Sequence, residues 1–167
     1  MTVTSIDKDY DGLALVVVAD FDAPVERVWQ LWADPRKLER WWGPPGYPAT
    51  FEQHELTRGG GVTYYMTDPD GSKYRGWWRV ESVEPPHTIE FSDGFADDNG
   101  DPLTERPVTK NRVTLSEHAG GTRMELRTAF DSREQFDELE AMGMVEGLEG
   151  AIGQIDALLA EEAGIAR

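Results

Sequence analysis

The sequence predicts an α+β protein, an antiparallel sheet with its helices gathered on one side. Three observations carry that prediction. The elements run strand, two short helices, six strands, long helix. The strand segments are short and alternate apolar with polar residues between turn signals. The one extended helical pattern lies at the C-terminal end, where its apolar stripe needs a sheet to cover it.

The first strand is Leu13-Ala-Leu-Val-Val-Val-Ala-Asp-Phe21, rich in β-branched residues and buried on at least one face. Asp22-Ala23-Pro24 reads as a helix start, a capping carboxylate with proline in the first turn. Val25, Val28, Trp29 and Trp32 follow at helical spacing. Asp34-Pro35 restarts a second short helix that carries Leu38, Trp41 and Trp42 and stops at Gly43. Four tryptophans thus fall within fourteen residues, and the stiff loop Gly43-Pro44-Pro45-Gly46-Tyr47 ends the pair.

Strands follow at 49–56, at Val62 to Thr67, at Tyr74 to Val83, around Ile89 and Phe91, around Val113 and Leu115, and from Met124 to Phe130. Asp68-Pro-Asp-Gly71 is a turn by its chemistry, and Ala119-Gly-Gly121 reads as a hairpin turn. Trp78 and Val80 share one face of their strand, and Trp77, Arg79 and Glu81 the other. Residues 93–109, "DGFADDNGDPLTERPVT", read as a long loop with its own turn. A helix is expected from about Ser132 to about Ala163, opened by the capping pair Ser132 and Gln135. Its stripe is Val145, Leu148, Ile152, Ile155 and Leu159. Gly143, Gly147 and Gly150 fall on one face of it, at about 1 kcal/mol each against alanine. Either the helix packs closely on the sheet there, or the face leaves room for a ligand or provides a hinge for opening the helix.

The 167 residues suit one domain, 1–167, with its core over about 13–160. Thirty-two acidic against sixteen basic side chains give a formal charge of -16, which repels nucleic acid and anionic membranes. There is no cysteine, so disulfides, thiolate metal sites and cysteine nucleophiles are excluded. The stretch opening at Met1-Thr2 does not read as a signal peptide, and the longest apolar run, Leu13 to Ala19, is too short to span a membrane. A cytoplasmic protein, monomeric or homodimeric, is expected.

No nucleophile elbow or phosphate loop occurs. The acidic stretch Asp97 to Asp101 misses calcium-loop spacing, and His54, His87 and His118 share no ligand spacing. No metal or cofactor is expected. His54 and Glu55 are strand neighbours facing opposite sides, so one of them points inward. An imidazole or carboxylate in an aromatic cavity would have a shifted pKa and could act as acid or base.

In this order and spacing, "FDAPVERVWQLWADPRKLERWWGPPGY", "ELTRGG", "MTDPDG" and "YRGWWRVESVEPPHTIEF" resemble the bacterial homologues of the activator of heat-shock-protein-ninety ATPase, within the START-like or SRPBCC superfamily. The resemblance spans about residues 13 to 160. It implies a helix-grip fold, a curved antiparallel sheet wrapped around a long C-terminal helix with an apolar cavity between. Glu55 stands where the family often has aspartate, and Gly143-Met144 or Gly147-Leu148 where it often has glycine-tryptophan.

The leading expectation is a protein that binds an apolar or aromatic small molecule, lipid- or polyketide-like, lined by Trp41, Trp42, Tyr47, Phe51, Tyr64, Met66, Trp78, Phe91, Met144, Leu148 and Ile152. Trp29 and Trp32 are expected in the core. The alternatives are an enzyme similar to polyketide cyclases or dehydratases, using His54, Glu55, Tyr64 and Tyr65, and a module that stimulates a chaperone ATPase.

Overall fold

The computed structural model describes residues 3–165, so Met1 and Thr2 of the N-terminal stretch read above lie outside the described residues. The elements are β1 (Val3–Asp9), β2 (Ala14–Phe21), α1 (Val25–Ala33), α2 (Pro35–Leu38), β3 (Ala49–His54), β4 (Gly61–Thr67), β5 (Lys73–Glu84), β6 (Thr88–Phe95), β7 (Thr109–His118), β8 (Gly121–Ala129), α3 (Arg133–Ala141), α4 (Met144–Ile152) and α5 (Ile155–Ile165). The strands form one antiparallel sheet in the order β1-β2-β8-β7-β6-β5-β4-β3. Among the described residues no helix is long and apolar enough to cross a membrane.

The architecture is the expected α+β one, with local differences, among them β3 ending at His54 and not at residue 56. Another is an added strand. β1 is an edge strand whose side chains are mostly exposed, so it lacks the alternation by which a half-buried strand is read. A third is the start of α1. Pro24 holds the N-cap position and no side chain caps the helix, so Asp22 is not the cap. At α2 the expected cap is present, with the Arg36 amide donating to Asp34 Oδ1 at 2.9 Å. That helix ends at Leu38, and turns carry the chain on to Trp42.

A fourth difference is the C-terminal helix, which is three segments. It opens at Ser132, whose hydroxyl accepts from the Gln135 amide. It breaks first at Gly143, at φ +89°, a conformation that glycine adopts without steric cost. It breaks again at Gly153-Gln154, where the Gln154 amide group donates to the carbonyls of Trp41 and Gly43 at 3.2 and 2.7 Å. A straight helix of that length would leave the sheet; the segments stay over it. Ion pairs hold their ends, Glu140 with Lys8 and Glu161 and Glu162 with Arg40 and Lys37. A fifth is β6, which runs to Phe95, three residues into the expected loop.

The core lies between the inner face of the sheet and the helices. Trp32, Trp41, Trp78, Phe51 and Phe91 are fully buried within it. Trp78 stacks on Phe91 at 4.1 Å between centroids, and Trp32 meets Trp41 edge-on at 4.8 Å. Such pairs contribute about 0.5–1.5 kcal/mol beyond the area they bury.

Candidate functional site

Cross-strand register builds the site. Phe51, Tyr64, Gly76 and Phe95 stand opposite one another across β3, β4, β5 and β6, and Val62, Trp78, Asp93 and Thr109 form the neighbouring row on β4 to β7. Strand alternation puts both rows on the buried face. Gly76 matters because it has no side chain. A Cβ there would lie 2.5 Å from the Tyr64 ring and hydroxyl. Tyr64 therefore lies flat across β5, and its hydroxyl donates to Asp93 Oδ1 at 3.0 Å.

A cavity of about 330 Å³ lies over this pair. Trp42, Pro44, Met66 and Phe95 form its sheet and loop side, and Leu139, Met144, Gly147 and Leu148 its helix side. Gly147 leaves space under α4: a Cβ there would meet nothing within 4 Å. Gly150, one turn on, packs instead against Pro44 and Pro45. Two of the explanations for the glycine face thus divide between Gly147, which gives room, and Gly150, which gives close contact.

Asp93 is half-buried, with one side facing the cavity and the rest enclosed by protein. That enclosure disfavours its charged form and pushes its carboxyl up to about 7, against a smaller downward pull from the Tyr64 hydrogen bond. The Tyr64 hydroxyl is held well above the ordinary phenol range, first by burial and then by the Asp93 charge. The indole N–H groups of Trp42 and Trp78 act on it in the opposite direction. Both indole N–H groups are buried, and neither completes a hydrogen bond among the described residues. Beyond Asp93 a polar chain runs along the inner face. Thr128 donates to Asn111 at 2.8 Å, Asn111 to Thr109 at 3.1 Å, and Thr109 weakly to the Asp93 carbonyl at 3.5 Å. A titrating carboxyl, a phenol and a polar chain in an apolar cavity can bind one polar group of an otherwise apolar molecule, or move a proton on it.

The structure distributes the residues singled out in the sequence as follows. Trp42, Tyr64, Met66, Met144 and Leu148 line the cavity. Phe51, Trp78, Phe91 and Ile152 do not, and all four are core. Trp41 is core as well, its indole N–H donating to the Leu31 carbonyl at 2.9 Å. Tyr47 is 41% exposed and is not part of the lining. His54 sits at the end of β3, where its Nε2 lies 3.0 Å from the Trp32 carbonyl. Glu55 is exposed and accepts from Gln53. Tyr65, one residue from Tyr64, faces the other side of the sheet under the Lys73 and Arg75 cations. Of the four proposed acid–base residues only Tyr64 reaches the cavity. Its partner Asp93 escaped the sequence reading because Asp93-Gly94 resembles a turn. Gly94 has another purpose: a Cβ there would lie 2.6 Å from the Trp77 ring, which crosses it on the outer face.

A curved antiparallel sheet with helices laid over its buried face and a cavity between them defines a helix-grip protein. The chain belongs to the Activator of Hsp90 ATPase homolog 1-like protein family, whose model matches residues 22–160. It is similar to a protein from Arthrobacter aurescens solved by solution NMR, with 54% identity, a TM-score of 0.92, and 96% of this chain and 93% of that one covered. Protein Ms6760 from Mycobacterium smegmatis, a crystal structure, has 50% identity and a TM-score of 0.88, with 94% and 96% covered. DynU16, from the dynemicin biosynthetic locus, shares the fold at 20% identity and a TM-score of 0.62, with 86% of this chain and 47% of DynU16 covered. No curated protein matches the chain.

Proposed function

We propose that this chain is a cytoplasmic binding protein for a compact apolar or aromatic small molecule, held between the sheet and α4. The observation that carries this reading is the cavity itself, about 330 Å³ walled by Trp42, Met66, Phe95, Met144 and Leu148 around one convergent polar pair. Such a ratio of apolar wall to polar anchor is what small-molecule sites share. The volume is about twice the roughly 150 Å³ that accommodates benzene in a protein interior. That suits a ring with a short side chain or two fused rings, and is small for a long-chain lipid. Native mass spectrometry of the protein purified from its own host, followed by extraction, tests the reading. A stoichiometric organic molecule is the expected result. An empty protein that also fails to take up any of a panel of one- and two-ring compounds removes it.

A second reading, an enzyme that transfers a proton on such a molecule, is favoured by one observation. Asp93 is poised near 7, where a carboxyl both gives and takes a proton at neutral pH, and it touches Tyr64. His54, Glu55 and Tyr65 have no part in it, since they do not reach the cavity. Stimulation of a chaperone ATPase has family membership and the acidic surface behind it, and no feature of the site. If the host chaperone's ATP turnover is unchanged by an excess of the protein, that role is removed.

A further inference from the structure

The polar part of the cavity is one-sided in charge. Among the described residues along its wall, only Tyr64, Tyr74, Arg75 and Asp93 titrate or carry charge. From β4, Tyr64 already donates to Asp93. From β5, Tyr74 donates to Asp68 in the neighbouring turn, and the Arg75 guanidinium is bound to Glu52 at 2.7 Å over the outward-facing Tyr65 ring. From β7 comes Thr109, and from α3 and α4 come Leu139, Met144 and Leu148, none of them charged. Among the described residues no basic side chain bonds to the Asp93 carboxyl. Among the described residues the enclosed carboxylate has no ion-pair partner, and the Arg106 guanidinium lies over Phe95.

Such a group is costly unless it stays protonated or something supplies a positive charge. The surroundings suit the second outcome. Tyr64 touches Asp93 and Trp42 lines the same cavity, and the faces of such rings attract cations. Phe95 on the same wall already takes one on its face, the Arg106 guanidinium at 4.6 Å. The formal charge of -16 draws cations toward the whole molecule and repels anions.

We propose that the cavity takes a compact organic amine, its ammonium held by the Asp93 carboxylate beside Trp42 and Tyr64 and its aromatic or short apolar body packed against Met66, Met144 and Leu148. The proposal rests on the binding reading above and narrows it to one class of ligand. An alcohol of the same shape would leave Asp93 protonated and gain only a neutral hydrogen bond. A carboxylate would meet the like charge of Asp93.

The test uses 2-phenylethylamine, 2-phenylethanol and phenylacetate, which share one ring and a short chain. Each is titrated into protein carrying 13C-methyl methionine, and the Met66 and Met144 methyl signals are followed. The amine keeps its charge across the range, its ordinary pKa lying near that of lysine, ~10. At about pH 8, where Asp93 is ionised, the amine should bind at least about tenfold more tightly than the alcohol, with phenylacetate weakest. Between about pH 8 and about pH 6 the amine should weaken roughly tenfold as the carboxyl takes up its proton. In Asp93→Asn the advantage of amine over alcohol should vanish. Equal binding of amine and alcohol, tightest binding of phenylacetate, or an amine preference that survives in Asp93→Asn overturns the proposal. Should that variant not fold, the wild-type pH series decides, and an amine affinity flat across the range overturns it. Alcohol binding without an amine preference sinks this proposal and leaves the cavity reading standing. No methyl shift with any of the three sinks both.

Discussion

Replacing Asp93 with asparagine should make the protein more stable at high pH and change its response to pH in a defined way. The folded carboxyl titrates near 7 and the free one near 3.8. Between those values the folded chain keeps a proton that the unfolded chain has lost. Wild-type stability contributed by this group is therefore full below about 3.8 and is lost as pH rises, until the loss levels off above about 7. At about 1.4 kcal/mol for each pH unit, the full loss is about 4 kcal/mol, an upper bound because one side of Asp93 faces the open cavity. Asparagine keeps an oxygen for the Tyr64 hydroxyl to bond and never titrates. Any packing cost of the amide is the same at every pH and shifts the whole curve without bending it. The assay is urea unfolding of both proteins at several pH values from about 4 to about 9. The stability of the variant minus that of wild type should climb across the acidic range, at up to about 1.4 kcal/mol per pH unit, and be flat above about 7.5. A difference that stays constant with pH would refute the reasoning, because Asp93 would then titrate alike in both states. Tyr64 does not confuse the result, since its hydroxyl is held well above the ordinary phenol range and stays protonated throughout.

Two further changes test the walls of the cavity. Gly147→Phe should fill the space under α4 and abolish small-molecule uptake in the binding assays. Stability should stay within about 1 kcal/mol of wild type or rise, because a side chain there meets nothing nearby and glycine is a poor helix former; a loss of several kcal/mol in urea unfolding would show that the space is not there. Gly76→Ala should cost about 1–3 kcal/mol by pushing Tyr64 off β5. It should also raise the Asp93 titration in 13C-carboxyl NMR, since the hydrogen bond that lowers it is lost; an unmoved titration would mean that Tyr64 does not reach Asp93.

Much of the frame was legible because it rests on periodicity. The alternation of Trp78 and Val80 with Trp77 and Arg79, the cap at Ser132, and the turn at Asp68 to Gly71, whose Gly71 amide donates to the Asp68 carbonyl, all stand where the residues put them. The hairpin at Ala119-Gly120 is likewise present, with φ of +49° and +83° at its two turn residues. What was not legible depends on tertiary partners. Gly94 looks like the second half of a turn until the Trp77 ring is seen lying across it. The strand continues through Asp93 because β5 and β7 pair with it there, which local sequence does not show. The breaks at Gly143 and Gly153 come from the need to keep three short helices over a sheet. Glycine content alone does not separate such a break from Gly150, which stays helical against Pro44 and Pro45. The division of aromatic residues between wall and core also follows from depth, which spacing does not encode. Trp41 and Trp42 are neighbours in sequence, yet one bonds to the Leu31 carbonyl in the core and the other faces the cavity.

The paired tryptophans and the proline loop also explain why the cavity persists. An apolar space of this size would gain by collapsing, since closing it would bring back lost contacts. Collapse would require α4 to move toward the sheet. Gln154 ties the end of α4 to the carbonyls of Trp41 and Gly43, and Gly150 rests on the Pro44 and Pro45 rings. Trp41 fixes that loop to α1 through Leu31, while Trp32 and Trp78 wedge the layer beneath it. Proline removes the backbone freedom through which the loop could yield. The helix is thus held at a set height by a strut built on the core itself. On the helix Gly147 offers no side chain to the gap, and on the sheet Gly76 lets Tyr64 lie flat instead of standing up into it. The same arrangement that places Tyr64 on Asp93 therefore leaves the room above them open.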